Sequence, residues 1–161
     1  MTFTQDESIT KALKAFQGLE VDEQLGLFYF IYKEMGGSIT PAAPGASTVG
    51  TDIAEGLFNQ VKEMSHEEQL QFQRDLINKA DTQYTRMYGS MSDTTKLLVW
   101  YRLSQGMDSA TIIPMPSDYK LSSQAEELLN QIKGLEFQKQ ITLFRDYVSP
   151  MGAEAKSGAE I

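Results

Sequence analysis

Catalytic chemistry needs nucleophiles, bases or metal ligands in reach of one another, and this sequence offers few. There is no cysteine and a single histidine, His66, which excludes disulfides, thiol catalysis and thiolate metal sites. His66 lies within Ser65-His66-Glu67-Glu68, a capping-box pattern at a helix start, so its neighbours already account for it. Acids are numerous but fall on polar faces or helix starts, and no paired-carboxylate arrangement stands out. No glycine-rich loop follows a strand, so the nucleotide-binding fingerprints are missing. The residues with the strongest spacing are instead aromatic. Leu97, Trp100, Tyr101, Ser104 and Met107 share one arc at about 100° per residue, while Val99, Leu103 and Gly106 lie opposite. A helix apolar on both sides is one buried on both sides.

The same spacing recurs at Leu25, Phe28, Tyr29, Tyr32 and Met35, and at Ile141, Phe144, Arg145, Val148 and Met151. Two of these helices open on matching runs without a gap, Gly18 to Phe28 and Gly134 to Phe144, and both copies end in Met-Gly. Such aromatic and methionine stripes ordinarily fill a core. They also suit a slot for a flat, elongated, conjugated guest, with the methionines as adaptable walls. Spacing alone leaves both readings open. Arg145 takes the stripe position held by Tyr29 and Tyr101, either as a snorkelling cation or as a partner contact.

The elements that must position these stripes are helices. The expected helices run from Glu7 to Phe16, from Asp22 to Gly36-Gly37, from Ile53 to Met64, from the Ser65 box to Ala80, and near Thr82 to Tyr88. The Trp100 helix follows, capped by Ser92 or Asp93. A helix opened by a second box at Ser123-Gln124-Ala125-Glu126 ends at Lys133, and a last one reaches Ser149-Pro150. Ser38 to Gly50, rich in Pro, Gly and Ala, reads as loop, as does Ala110 to Leu121 with its Pro114-Met115-Pro116. The expected architecture is therefore all-α, a bundle of hairpins with approximate internal pseudo-symmetry. Residues 1–151 form the domain, and 152–161 a small, polar, fraying tail.

The chain of 161 residues is long enough to bury a sizeable core without staples. Its 22 acidic against 14 basic residues, a net charge of -8, argue against nucleic acid or anionic lipid as a partner. No secretory leader or transmembrane segment is visible, which reads as a cytoplasmic protein.

Six islands in order give the chain a family likeness. They are Asp22 to Gly36 with its Glu34-Met35-Gly36 ending, Ala42-Ala43-Pro44-Gly45, Asn78-Lys79-Ala80-Asp81-Thr82, Trp100-Tyr101-Arg102-Leu103, Pro114-Met115-Pro116 with Tyr119, and Gln140-Ile141-Thr142 through Arg145 to Met151-Gly152. On these the chain resembles the helical carotenoid proteins, stand-alone relatives of the N-terminal domain of the orange carotenoid protein. The resemblance implies two interleaved four-helix bundles around a central apolar tunnel that holds a keto-carotenoid of canthaxanthin or echinenone type. It implies carotenoid-binding at Leu25, Phe28, Tyr29, Tyr32, Gly45, Leu97, Trp100, Tyr101, Ser104, Met107, Met115, Tyr119, Thr142, Val148 and Met151, with Arg145 turned toward a partner. Two departures bear on pigment choice: Tyr29 stands where two-domain relatives carry a tryptophan, and Gln73 replaces an apolar lining residue.

The function implied is non-catalytic photoprotection, by quenching singlet oxygen or excess excitation, with pigment received from a C-terminal-domain homologue. Docking on the phycobilisome, the light-harvesting antenna of photosynthesis at the thylakoid, as a fluorescence quencher is the alternative within the family. A ligand-free helical adaptor is the alternative outside it.

Overall fold

The computed structural model describes residues 2–39 and 48–153, with side chains over 7–35 and 52–153. All regular structure among the described residues is helical: α1 (Thr2–Gln17), α2 (Val21–Ile39), α3 (Thr48–Lys62), α4 (His66–Asn78), α5 (Gln83–Gly89), α6 (Asp93–Ser109), α7 (Ser123–Lys133) and α8 (Phe137–Val148). Three elements outrun the sequence expectation. α1 begins at Thr2, and α2 continues through Gly36-Gly37 to Ile39 while α3 already starts at Thr48, so the expected loop from Ser38 to Gly50 is trimmed at both ends. Two glycines in a helix cost about 1 kcal/mol each, which the buried apolar side of α2 outweighs.

Local hydrogen bonds fix the helix starts. Ser65 forms the expected box, its Oγ accepting from Glu68 N at 3.1 Å while its own N–H donates to Glu68 Oε1 at 3.0 Å. Ser92 caps α6. At α7 the cap is Ser122 and not Ser123, and no box forms because the third residue of the helix is Ala125. Glu23 of α2 completes the arrangement instead, its Oε2 accepting from Ser122 N at 3.1 Å. A local capping device is here replaced by one that ties two distant helices together.

The most extensive packing pairs α3 with α6, α1 with α8 and α6 with α8, while α2 lies against α4, α6 and α7. α6 lies at the centre of this packing. One side packs on α3, its most extensive neighbour, and the other on α8 and α2. Val99, Leu103 and Gly106 on one side, and Leu97, Trp100 and Ser104 on the other, are all buried, as the two-arc pattern requires. At Gly106 a Cβ would stand 2.4 Å from Ile112, so the bare backbone lets the following loop fold back on the helix.

Three buried glutamines staple three hairpins. Each is the fourth residue of its helix and donates its amide to a main-chain carbonyl at the end of, or just after, the preceding helix: Gln24 to Leu19 O (2.8 Å), Gln69 to Val61 O (3.2 Å) and Gln140 to Ile132 O (2.9 Å). The first and last belong to the repeat visible in the sequence; the middle one extends it to α3–α4. Gly152 and Ala153, assigned to the tail by sequence, are buried and held, Gly152 N donating to Leu76 O at 2.8 Å and Ala153 N to Thr85 O at 3.1 Å. Gly152 has φ +80°, a conformation that favours glycine.

Candidate ligand-binding site

α2 and α6 bring their stripes together as one aromatic wall. Phe28 meets the Trp100 ring edge-on at 5.5 Å, touches Tyr32 at 5.1 Å, and Tyr32 meets Tyr101 at 5.6 Å. Phe28 and Trp100 are each 3% exposed. Polar tips along the wall are satisfied internally. Tyr32 donates to Leu97 O at 2.8 Å; Trp100 Nε1 donates to Tyr88 Oη at 3.0 Å, and Tyr88 in turn donates to Val148 O at 2.9 Å with Met151 Sδ 3.9 Å away. Burial holds the Tyr32 and Tyr88 phenols well above their ordinary pKa, so both are neutral donors. Tyr88 and Tyr147 were not singled out by sequence, since α5 is too short to show a stripe and Tyr147 lies outside the repeated spacing.

Two clefts open at the ends of this wall. The first, of about 220 Å³, is walled by Leu25, Gly26, Leu70, Gln73, Met107, Ile113, Met115 and Tyr119, with Asp22, Arg74, Pro114 and Pro116 completing it. Four expected pigment contacts, Leu25, Met107, Met115 and Tyr119, meet here. Gly26 is part of the fit: a Cβ would lie 2.4 Å from the Tyr119 hydroxyl, so the phenol packs against bare helix backbone. Arg74 grips Asp22 with two bonds, Nε to Oδ1 at 2.8 Å and Nη2 to Oδ2 at 2.9 Å, which pins α4 to α2.

The second cleft, of about 230 Å³, is lined by Tyr32, Lys33, Tyr101, Ser104, Gln105 and Asp108. Leu25 and Tyr32 are two helical turns apart on α2, about 10 Å along the axis. Tyr29 stands on α2 between them and donates to Asp108 Oδ1 at 2.7 Å, with Lys33 Nζ 3.5 Å from the same oxygen. Burial, and then the hydrogen bond and charge of Asp108, push the Tyr29 phenol up to about 12.

The other expected residues are placed less centrally. Val148 and Met151 are buried behind Trp100. Thr142 is exposed, its Oγ1 donating back to Gln138 O at 3.0 Å, because it sits one position past buried Ile141 and so about 100° around α8. Arg145 is half-buried, its Nε buried without a hydrogen-bond partner. Gly45 lies outside the described residues. His66 is exposed on the first turn of α4.

What remains is a site for shape. The first cleft and the wall are mainly apolar and aromatic, whereas the second cleft carries Lys33, Ser104, Gln105 and Asp108 beside its two tyrosines; the one buried unpartnered polar atom among the cleft residues is Gln73 Nε2, and among the described residues no group of three His, Asp or Glu could hold a metal ion. No helix described is long and apolar enough to cross a membrane.

Residues 2–154 match the family model described as orange carotenoid protein, N-terminal. An orange carotenoid-binding domain-containing protein of Nostoc is 44% identical over 96% of this chain and 98% of its own length. The orange carotenoid-binding protein of Synechocystis is 39% identical over 95% of this chain, which spans about half (48%) of that relative. Among solved structures, the Anabaena red carotenoid protein binding canthaxanthin is 66% identical, covers 91% of this chain and 99% of its own, and superposes with a TM-score of 0.81. The orange carotenoid protein of the same organism, binding canthaxanthin, has the same TM-score at 37% identity, over 93% of this chain and 47% of its own.

Proposed function

Because the chain belongs to the family of the orange carotenoid protein N-terminal domain, we propose that it is a non-catalytic carotenoid-binding protein, holding a keto-carotenoid of canthaxanthin or echinenone type for photoprotection. The observation that carries this reading is the aromatic wall of Phe28, Tyr32, Trp100 and Tyr101 with a cleft at each end. When bound, the pigment supplies visible absorption and a sink for excitation or singlet oxygen. The protein supplies burial. A guest of about forty carbons, at roughly 0.3 kcal/mol per heavy atom, has a ceiling on the order of 12 kcal/mol, which is nanomolar or tighter. Little of that comes from hydrogen bonds, since a polyene offers none along its length.

In this reading the pigment would run beside α2 and α6 from one cleft to the other, past Leu25, Tyr29, Leu97 and Met107. Val148 and Met151 would back the Trp100 ring. Tyr29 and its bond to Asp108 form the partition it must displace. Protein made in carotenoid-producing cells is expected to purify coloured, with a visible band that survives gel filtration. A colourless product overturns the reading. The competing reading is a ligand-free adaptor whose stripes are plain core, which the burial of Phe28 and Trp100 favours, and the same preparation decides between them.

Arg145, with its unpartnered Nε on a half-buried side chain, is the residue we assign to partners, whether a C-terminal-domain homologue that delivers pigment or the phycobilisome. Work beside the antenna would place the protein on the cytoplasmic face of the thylakoid. Fluorescence of phycobilisomes titrated with the pigmented protein separates antenna quenching from a role confined to singlet oxygen.

A further inference from the structure

Gln73 is 4% exposed, lies on the wall of the first cleft, and its amide Nε2 has no hydrogen-bond partner. A buried N–H without an acceptor is destabilising, and native folds rarely leave one. The other three buried glutamines, Gln24, Gln69 and Gln140, all donate to main-chain carbonyls. Gln73 follows Gln69 by four residues. The positions four after Gln24 and Gln140 are Phe28 and Phe144, both buried rings. The hairpin repeat therefore accepts a large apolar side chain here, and α4 carries an amide instead, facing Leu25, Met107 and Met115 across the cleft.

We propose that the Gln73 amide is the hydrogen-bond donor for an oxygen on a terminal ring of the pigment, seated in this cleft, and so selects oxygenated end rings over hydrocarbon ones. The inference rests on the carotenoid reading above. A volume of about 220 Å³ suits an end ring and not a whole polyene. A ring ketone can only accept a hydrogen bond, which is what an N–H requires. A hydrocarbon ring would bury the amide further and leave it orphaned, so discrimination comes from both the bond gained and the penalty avoided. One such bond corresponds to about three- to tenfold in relative affinity.

The test loads wild-type protein and two variants, Gln73→Leu and Gln73→Met, from an equimolar mixture of canthaxanthin and β-carotene, with circular dichroism to verify that each variant is helical. Two quantities are read: the ratio of pigments retained, and the carbonyl stretch of bound canthaxanthin by resonance Raman. Wild type is expected to enrich the diketone about three- to tenfold over either variant, with its carbonyl band at lower frequency. If coloured wild type and coloured variants show the same ratio and the same carbonyl band, Gln73 makes no bond to the ring and the proposal fails, a bound water then being the partner of the amide. A wild-type protein that takes up neither pigment overturns the carotenoid reading itself, which is a different result.

Discussion

At the scale of single residues, the polar tips of the aromatic wall matter more than their number suggests. Tyr88 accepts from Trp100, donates to Val148 O, and lies under the Lys96 ammonium at 5.4 Å, so one phenol joins α5, α6 and α8. Burial raises the pKa of Tyr32, Tyr88 and Tyr147. The unfolded chain loses these protons near pH 10 whereas the folded chain keeps them, so above about pH 10 the unfolded state binds fewer protons and stability falls as pH rises. Lys96 acts oppositely: burial lowers its pKa, so the charged form is penalised at neutral pH and losing its proton stabilises the fold. Tyr29 and Tyr119 are raised too, so with five phenols against one amine the urea midpoint is expected to be nearly flat from pH 8 to 10 and to drop steeply beyond about pH 10. Tyr88→Phe should cost about 1–3 kcal/mol at pH 8, by orphaning Trp100 Nε1 and taking from Val148 O one of its two donors, Met151 N remaining, and should flatten the alkaline drop. An unchanged alkaline slope in that variant would show that Tyr88 is not sealed. Sequence reading reached Trp100, Phe28 and Tyr32 through their spacing but not Tyr88, because a seven-residue helix shows too little periodicity to betray a buried side.

Helices are placed here by side chains that reach across turns, and these separate what periodicity reveals from what it hides. The two-sided burial of α6 follows from its sequence, since apolar residues on opposite arcs bury both arcs and leave only positions between them, such as Gln105 and Asp108, exposed. The repeat of Gly18 to Phe28 in Gly134 to Phe144 likewise marks two equivalent hairpins. Its third copy is hidden because only Glu68-Gln69-Leu70 persists, matching Glu23-Gln24-Leu25, with Phe28 and Phe144 answered by Gln73. The shift of the α7 cap to Ser122 is hidden for another reason: the partner of its N–H is Glu23, 99 residues away, and no local pattern encodes that. The stapling glutamines differ in a measurable way. Gln69 donates to Val61 O and Thr111 O and accepts from Ile113 N at 2.7 Å, holding both the α3–α4 turn and the loop after α6. Gln140 donates only to Ile132 O among the bonds found for it. Gln69→Leu should therefore cost about 3 kcal/mol or more and Gln140→Leu about 1–2 kcal/mol in urea unfolding. Equal losses would mean that the loop carrying Pro114-Met115-Pro116, one wall of the first cleft, is held by other contacts.

For the molecule as a whole, α6 packs on α3 to one side and on α8 and α2 to the other, and the wall where the guest is proposed to lie runs between α2 and α6, so a guest there should stabilise the packing of both helices at once. Phe28 and Trp100 pack edge-on in the wall, with a cleft of about 220 Å³ beside Leu25 and Met107 and one of about 230 Å³ beside Tyr32 and Tyr101. Entry then requires the Tyr29 partition to yield and the rings to separate, and the energy for this comes from burial of the polyene. A ligand that binds only the folded state adds RT ln(1 + [L]/Kd), about 2.7 kcal/mol at a hundredfold excess over Kd. For a chain of this size each kcal/mol moves the midpoint by about 2–4 °C, so pigmented protein should melt about 5–10 °C above the colourless form. Scanning calorimetry on matched samples reads this directly. If the two forms melt together while the pigment remains bound, the pigment lies on an outer surface and not between α2 and α6. Tyr29→Phe sharpens the same measurement: losing the Asp108 bond should speed uptake while leaving the melting point of the loaded form nearly unchanged, since the guest displaces that bond when it enters.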